Sequence, residues 1–338
     1  MKILHVSDSF NAGVKIGIER VTECETSETH YLLWSAHSDS PRPLKSDLFS
    51  NYSETFEWRG NLIQKYFMLA TLIRKIKPDI LHLHSSIAGG LGRLQISKNR
   101  IFYSPHCYAF QRKDISNFVR VGLLLIERAL KFRTDTYFLN WPIEIELTKK
   151  KIKTHNVIFY PIVDIERTRL AQYRAKVKHD VFLCVGRIRP QKDPKFLAEC
   201  VRHSLENSNI EWVGSGDDKL KRELENVGIV VVPWKNHGQI WGEPFTPIAV
   251  LITSAWESGP LTLFESIQNG VPVISRSFDA IQYYGFESFL TPTSFGLEID
   301  NFLINPNIRR NRFLDQQRNL LSTLDRYMLS YGKPSPYR

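Results

Sequence analysis

The sequence predicts an α/β protein of two domains, each built on a parallel sheet wrapped by helices. Its 338 residues exceed the roughly 250 that a single hydrophobic core supports. A hydrophobic fraction of 42% supplies enough apolar side chains for two cores, and it excludes a disordered, collagen-like or coiled-coil chain. In both halves, short apolar runs alternate with stretches of helical periodicity, which is typical of strands joined by crossover helices.

Six short apolar segments in the first half are predicted strands. The first of them is soon interrupted by polar residues, so it is too short for the core of an export signal. Two longer stretches, 63–76 and 118–132, have helical periodicity. The predicted strands are 2–7, 30–35, 80–84, 101–104, 135–139 and 157–160.

The second half begins with a charged helical stretch, 166–178, and then repeats the alternation. Segment 234–247 is rich in Trp, Gly, Pro and Asn, which predicts an irregular loop. A last helix is predicted over 311–329. The other predicted strands are 181–186, 210–213, 229–232, 249–253 and 271–275, and the other predicted helices are 195–205, 219–226 and 261–269.

These elements predict a division of the chain into three parts. The first domain covers 1–165 and the second covers 166–310. A helical tail, 311–338, can pack back on the first domain.

The charge is unbalanced, with 45 Lys and Arg against 35 Asp and Glu, for a net charge of +10. Such a surplus favours an anionic partner: nucleic acid, a phosphorylated ligand or an acidic membrane face. Nucleic acid is the least favoured, because the basic residues are scattered among helices and loops instead of being clustered with aromatic residues.

The cysteines and the hydropathy pattern predict a cytoplasmic protein. The four cysteines are far apart and have no Cys-x-x-Cys or Cys/His ligand spacing, so neither a zinc site nor a disulfide framework is expected. The longest apolar stretch, 119–130, carries charges and is shorter than the ~20 residues of a membrane-spanning helix.

The loop after the first strand of the second domain is a candidate anion site. It carries Arg187 and Lys192 and leads into a helix, with Asp193 and Pro194 in the N-cap and N1 positions. A helix N-terminus and two cations attract a diphosphate more strongly than either does alone.

A second candidate loop carries two glutamates. Pro260 is predicted to begin a helix that Gly270 ends. Glu257 precedes this helix, and Gly259 allows backbone N–H groups to approach a ligand closely. Glu265 lies more than a turn into an otherwise apolar helix, where a carboxylate needs donors such as the hydroxyls of a ribose diol.

These motifs together resemble those of the retaining GT-B glycosyltransferases of family 4, also called glycosyl transferases group 1. The family signature is a Glu, seven residues and a second Glu, which here are Glu257 and Glu265. The resemblance implies two Rossmann-like domains that face each other across a cleft for donor and acceptor. It extends in order over PDILHLHS, SPHCYAF, YPIVD, VGRIRPQKDP, WVGSGDD and ESGPLTLFESIQNGVPVIS.

The resemblance also implies a role for each matching residue. Arg187 and Lys192 bind the donor diphosphate. Glu265 binds the ribose, and Glu257 lies beside the transferred sugar. The backbone at the helix start reaches sugar hydroxyls and phosphate through three residues, Gly259, Pro260 and Leu261.

The first domain contributes two candidate site residues, His106 and Gly13. His106 matches the histidine that faces the donor sugar and is, with Glu257, a predicted catalytic residue. Gly13 matches part of a Gly-Gly pair near the donor phosphates. His82 and His84 point to one face of a strand, where they either line the cleft or pack in the core; a metal role lacks carboxylate partners.

The resemblance implies hexose transfer, with retention, from a nucleotide sugar such as a UDP-sugar to a saccharide or lipid-linked acceptor in envelope polysaccharide synthesis. No Asp-x-Asp motif follows a strand, which favours a reaction without a metal or other cofactor. The diffuse basic residues favour peripheral contact with the anionic inner face of the membrane. The alternative is a GT-B sugar-nucleotide epimerase or a phosphorylase-like enzyme.

Overall fold

A computed structural model describes residues 1–35, 51–174, 181–206, 208–242 and 247–331, and Tyr337. The chain forms two compact units. The first unit comprises Met1–Ile162 together with Tyr327–Arg338, and the second comprises Val163–Arg326.

The described strands of the first unit form one parallel sheet of seven strands. Their bounds are β1 Lys2–Ser7, β2 Thr29–Trp34, β3 Glu54–Glu57, β4 Ile80–His84, β5 Arg100–Ser104, β6 Thr136–Leu139 and β7 Val157–Phe159. The strand order is β3-β2-β1-β4-β5-β6-β7, so β1 and β4 lie near the middle. Every residue of β4 is buried, so its mainly apolar run includes two buried histidines, His82 and His84. The edge strand β3, with glutamates at both ends, lacked such a run and was not predicted.

Helices connect these strands. Their bounds are α1 Ala12–Cys24, α2 Leu62–Ile76, α3 Ser86–Arg93, α4 Asn117–Leu130 and α5 Pro142–Leu147, with single turns at Ala109–Gln111, Lys131–Arg133 and Thr148–Ile152. α2 begins with a capping box between Asn61 and Gln64 and ends at Lys77, which adopts a left-handed conformation with φ 51°. These end signals explain why the predicted helix 63–76 closely matches the observed one.

Helix α4 packs in an unexpected way. Its extent agrees with the predicted helix 118–132, but its only fully buried residue is Glu127. The Glu127 carboxylate lies 2.9 Å from the Arg93 guanidinium and accepts a hydrogen bond of 3.1 Å from the Tyr103 hydroxyl. Phe118 is 92% exposed, and Leu125 is 56% exposed. The helix therefore buries its acidic residue and leaves much of its apolar surface in solvent.

The second unit contains a parallel sheet whose five described strands run in the order β10-β9-β8-β11-β12. Their bounds are β8 Val181–Val185, β9 Asn209–Val213, β10 Val230–Val232, β11 Ala249–Ile252 and β12 Val273–Ser275. Trp212 and Phe295 are fully buried in the core of this unit. The helices are α6 Ile165–Leu170, α7 Pro194–His203, α8 Asp218–Glu225, α9 His237–Trp241, α10 Leu261–Gln268, α11 Asp279–Tyr283, α12 Pro292–Ile304 and α13 Pro306–Tyr331.

Several predicted elements of this unit differ from the observed ones. The helix predicted over 166–178 ends at Leu170, and its last residues lie outside the described part of the chain. Beyond it the chain runs along Gly270, whose carbonyl accepts the N–H of Arg174 at 3.0 Å. The segment 234–247, predicted as an irregular loop, contains the short helix α9. A capping box between Asn236 and Gln239 forms its N-terminus.

Candidate functional site

Two glycines shape the loop that carries Arg187 and Lys192. Gly186 has a φ of +152°, and a Cβ there would lie 2.8 Å from Cε of Lys192. A Cβ at Gly214, after the neighbouring strand, would lie 2.1 Å from the Gly186 carbonyl oxygen. At Gly214 a side chain would force the two strand-end loops apart, and at both positions the positive φ favours glycine.

The same loop is anchored at two further points. Ile188, which follows the half-buried Arg187, is fully buried and donates its N–H to the Ser215 carbonyl at 2.9 Å. Asp193 caps α7 by accepting the N–H of Phe196 at 3.3 Å, as the sequence predicts. These anchors hold the backbone on both sides of Lys192.

Lys192 and Glu257 are in direct contact. The Lys192 Nζ lies 2.5 Å from a Glu257 oxygen that also accepts a hydrogen bond of 2.9 Å from the Ser254 hydroxyl. Both charged side chains are half-buried, where a charge-assisted hydrogen bond is stronger than in open solvent. The fold therefore joins a predicted donor-binding residue, Lys192, to a predicted catalytic residue, Glu257, although the two are far apart in sequence.

Helix α10 begins beside Glu257 in the sequence. Pro260 is its N-cap and has no side-chain acceptor to offer to the first-turn N–H groups. Gly259 and Leu261 are half-buried on either side of it. The start of α10 therefore provides backbone donors and the positive end of a helix dipole.

Glu265 lies in the second turn of the same helix and is half-buried. Burial raises the pKa of its carboxyl, whereas nearby His237, the Trp241 indole and Arg167 oppose the rise. These three neighbours come from α9 and α6, and the sequence did not predict them. Motif spacing carries no signal for them, because only the fold brings these helices to Glu265.

His106 follows β5 in the first unit, in a strained turn. Its φ is 48°, and that of Cys107 is 85°, in the left-handed region that non-glycine residues rarely adopt. The fully buried Glu144 holds this turn by accepting the Cys107 N–H at 2.9 Å. Gly17 of α1 leaves room for the imidazole, since a Cβ there would lie 3.2 Å from Cε1 of His106. The predicted Gly13 lies in the first turn of α1 and is half-buried.

His106 is one end of a chain of four hydrogen-bonded imidazoles, here called the histidine chain. The chain joins His106 Nε2 to His84 Nδ1 at 3.0 Å, and His84 Nε2 to His5 Nδ1 at 3.1 Å. It continues from His5 Nε2 to His30 Nδ1 at 3.0 Å. His30 Nε2 then lies 3.0 Å from the Glu25 carbonyl oxygen. The register of β2, β1 and β4 places His30, His5 and His84 on one face of the sheet.

His82 lies next to this chain but has other partners. Its Nδ1 is 2.7 Å from the Tyr337 hydroxyl, and its Nε2 is 2.9 Å from the Ser104 hydroxyl. Nitrogens of His5, His82 and His84 lie within 4.8 Å of one another, a spacing that metal ligands also have. Hydrogen bonds engage both ring nitrogens of each of these three residues, and they account for the cluster.

Burial keeps these imidazoles neutral. It lowers the pKa of His5, His82 and His84 well below the usual value, and that of His106 to about 4. The sequence left open whether His82 and His84 line a site or pack in the core; they lie in the core of the first unit, and His84 contacts His106. His5 and His30 were not predicted, although each lies in a segment that the sequence predicts as a strand.

The family model described as "Glycosyl transferases group 1" matches residues 166–301. The chain is 26% identical to the Escherichia coli UDP-Gal:alpha-D-GlcNAc-diphosphoundecaprenol alpha-1,3-galactosyltransferase over 70% of this chain and 67% of that protein. It is 23% identical to an uncharacterized 41.2 kDa protein in the cps region of Klebsiella pneumoniae, over 82% of this chain and 81% of that protein. The fold matches that of Anabaena HepE in complex with UDP and glucose, with a TM-score of 0.73, 13% identity and 98% of both chains covered.

These likenesses confirm the predicted GT-B fold with two parallel-sheet, Rossmann-like units. Among the described residues, no helix has both the length and the apolar content needed to cross a lipid bilayer.

Proposed function

Because this chain is a glycosyltransferase of the group 1 family, the retaining GT-B family 4, we propose that it transfers a hexose from a UDP-sugar to a hydroxyl of a lipid-linked saccharide. Enzymes of this family use nucleotide-sugar donors. Two points support the finer assignment: one relative is named for UDP-galactose and a diphosphoundecaprenol acceptor, and a protein of the same fold binds UDP with glucose.

The observation that carries the proposal is the contact between Lys192 and Glu257 next to the start of α10. A UDP diphosphate brings negative charge that Lys192, Arg187 and the first-turn N–H groups are suited to neutralise. When the phosphate engages Lys192, the Glu257 carboxylate is released to accept hydrogen bonds from sugar hydroxyls. This contact supports a role for Lys192 at the diphosphate and for Glu257 at the sugar.

The roles of the other site residues are part of the same proposal. Glu265 is proposed to accept the two ribose hydroxyls, helped by the backbone of 259–261 on the phosphate side. His106 is proposed as the residue of the first unit that hydrogen-bonds a sugar hydroxyl. As the bond between the anomeric carbon and the leaving phosphate breaks, Lys192 and Arg187 stabilise the growing negative charge without a metal ion. The acceptor hydroxyl attacks the same face and gives its proton to the leaving phosphate.

The first test is nucleotide binding by calorimetry with Lys192→Ala. Loss of one charge-assisted contact is expected to weaken UDP binding about tenfold. The matched control is Lys195→Ala, which removes an exposed lysine of the next helix, 3.6 Å from Glu223. Equal UDP affinity in wild type and Lys192→Ala contradicts the proposal, as does tighter binding of another nucleoside diphosphate than of UDP.

Helix α4 supports the membrane-facing part of the proposal. Phe118 and Phe132 are 92% and 83% exposed. The lysine-rich turn Thr148–Ile152 lies beside this helix, because Arg128 donates to the Lys151 carbonyl at 2.7 Å. Apolar side chains flanked by lysines suit the interface of an anionic bilayer, where a lipid-linked acceptor resides.

A further inference from the structure

The histidine chain ends, at the side away from His106, on a backbone carbonyl. A carbonyl oxygen only accepts hydrogen bonds, so His30 Nε2 must carry the proton in its 3.0 Å contact with the Glu25 oxygen. A neutral imidazole carries one N–H, and His30 Nδ1 is therefore an acceptor.

The same constraint passes along the chain one ring at a time. His30 Nδ1 accepts, so His5 Nε2 donates to it and His5 Nδ1 is bare. His5 Nδ1 then accepts from His84 Nε2, which leaves His84 Nδ1 bare. His84 Nδ1 in turn accepts from His106 Nε2. At the end of the chain, His106 has its proton on Nε2 and a lone pair on Nδ1.

We propose that the Glu25 carbonyl, acting through His30, His5 and His84, holds His106 in the tautomer whose Nδ1 is a hydrogen-bond acceptor. His30, His5 and His84 are positioning residues, and His106 is the residue that meets the ligand. Given the proposed function, His106 accepts a hydrogen bond from a hydroxyl of the sugar. Nδ1 of His106 therefore favours a ligand group that donates a hydrogen bond, such as a hydroxyl. It cannot donate a hydrogen bond to an ether or carbonyl oxygen.

The surroundings of the chain are consistent with one proton per ring. Burial lowers the pKa of His5, His30 and His84. The His82 ring lies 4.0 Å from the His84 ring, but its nitrogens bond to Tyr337 and Ser104, so it takes no part in the relay. Two other titratable groups act on His30: Glu28 favours its charged form, and the N-terminal amine opposes it. The ring of Tyr52 lies 6.4 Å from that of His5.

Nitrogen NMR of the whole protein with ¹⁵N-labelled histidine tests the assignment directly, since protonated and bare ring nitrogens resonate far apart. The His106 signals are identified by their loss in His106→Gln. Wild type is expected to show a protonated Nε2 and a bare Nδ1 at pH 7. A protonated Nδ1 on His106 would overturn the proposal, and the tautomer is read on the wild-type protein without turnover.

Three variants test whether the hydrogen bonds of the histidine chain, and not only the packing of its rings, set the tautomer of His106. His5→Phe removes both relay nitrogens and is expected to give mixed tautomers at His106, with kcat/KM for the sugar donor about tenfold lower and UDP affinity unchanged. His5→Gln has an amide that can donate to His30 and accept from His84, and it is expected to restore both readouts. His82→Phe, at the position paired with His5 in the sheet, is the control and is expected to keep the wild-type tautomer.

The outcomes distinguish this inference from the proposed function. A bare Nδ1 in a protein that transfers no sugar leaves the tautomer assignment standing and refutes the function. An unchanged His106 spectrum in His5→Phe, or the same tautomer mixture in His82→Phe, refutes the relay even if hexose transfer is observed.

Discussion

Glu265 and Glu257 are close in sequence but have different surroundings, and their substitutions are expected to differ. Glu265→Ala should weaken UDP binding about tenfold, because the carboxylate is proposed to hold the ribose. Glu257→Ala should mainly lower kcat, because its proposed partner is the transferred sugar. Calorimetry with UDP and steady-state kinetics give the two values. Glu225→Ala, on the exposed side of α8, is the control, and unchanged UDP affinity in Glu265→Ala would contradict the ribose assignment.

The buried imidazoles make acid stability a second residue-level test. The pKa of His106 falls from its ordinary 6.5 to about 4 on folding, so the unfolded chain binds more protons between these values. The free energy of unfolding should therefore fall as the pH drops from 7 to 4, by on the order of 3 kcal/mol for His106 alone. His5, His82 and His84 shift in the same direction.

Denaturant unfolding at pH 7 and pH 5, followed by circular dichroism, measures this slope. The variant His106→Gln should flatten it, since it removes one of the contributing groups. An unfolding free energy that is the same at both pH values would contradict the neutral, buried state of these histidines.

For single residues, the sequence predicts site candidates where a charged side chain lies in a loop directly after a predicted strand. Lys192 and Glu257 were both selected from their loops, and the structure places them in contact. The neighbours of Glu265 and two members of the histidine chain, His5 and His30, were not predicted. Their proximity depends on strand register and on how helices pack, and local spacing does not encode either.

At the scale of elements, α4 shows the limit of periodicity. Its apolar spacing correctly predicts a helix, but the side that faces the protein is set by Glu127 and its partner Arg93 on α3. An ion pair between two helices is not visible in the sequence of either. The short helices α9 and α11 were missed because each has only five residues.

The exposed surface of α4 leads to a membrane-binding prediction. The double substitution Leu125→Glu/Ile126→Glu should lower binding to phosphatidylglycerol vesicles about tenfold or more, because it places two charges on the proposed apolar face. Vesicle co-sedimentation measures the bound fraction. Leu205→Glu alters a leucine of the second unit that is 84% exposed, and it should have no effect. Equal binding of wild type and the double variant would contradict a membrane role for α4.

For the whole molecule, the proposed transfer with retention predicts the configuration of the product. Transfer from an α-linked UDP-hexose is expected to give an α-linked saccharide, because attack and departure use the same face of the sugar. Proton NMR of the anomeric signal, recorded on early product, reads the configuration. A β-linked product would contradict the same-face mechanism.

The α/β class and the division into two sheets were predictable from alternation and length, since each buried strand leaves an apolar run. The path of the last residues was harder to predict. Helix α13 belongs to the second unit as far as Arg326, whereas Tyr327–Arg338 belongs to the first. Tyr337 is fully buried there and contacts the ring of Phe102.

This arrangement bears on how the protein is made. The strands of the first unit leave the ribosome early, but one of the aromatic rings of their core, Tyr337, is translated after the entire second unit. Until then the hydroxyl partner of His82 is absent. The core of the first unit is therefore incomplete while the second unit is synthesised. A nascent chain stalled before Tyr337 should be digested by protease more readily than the released protein.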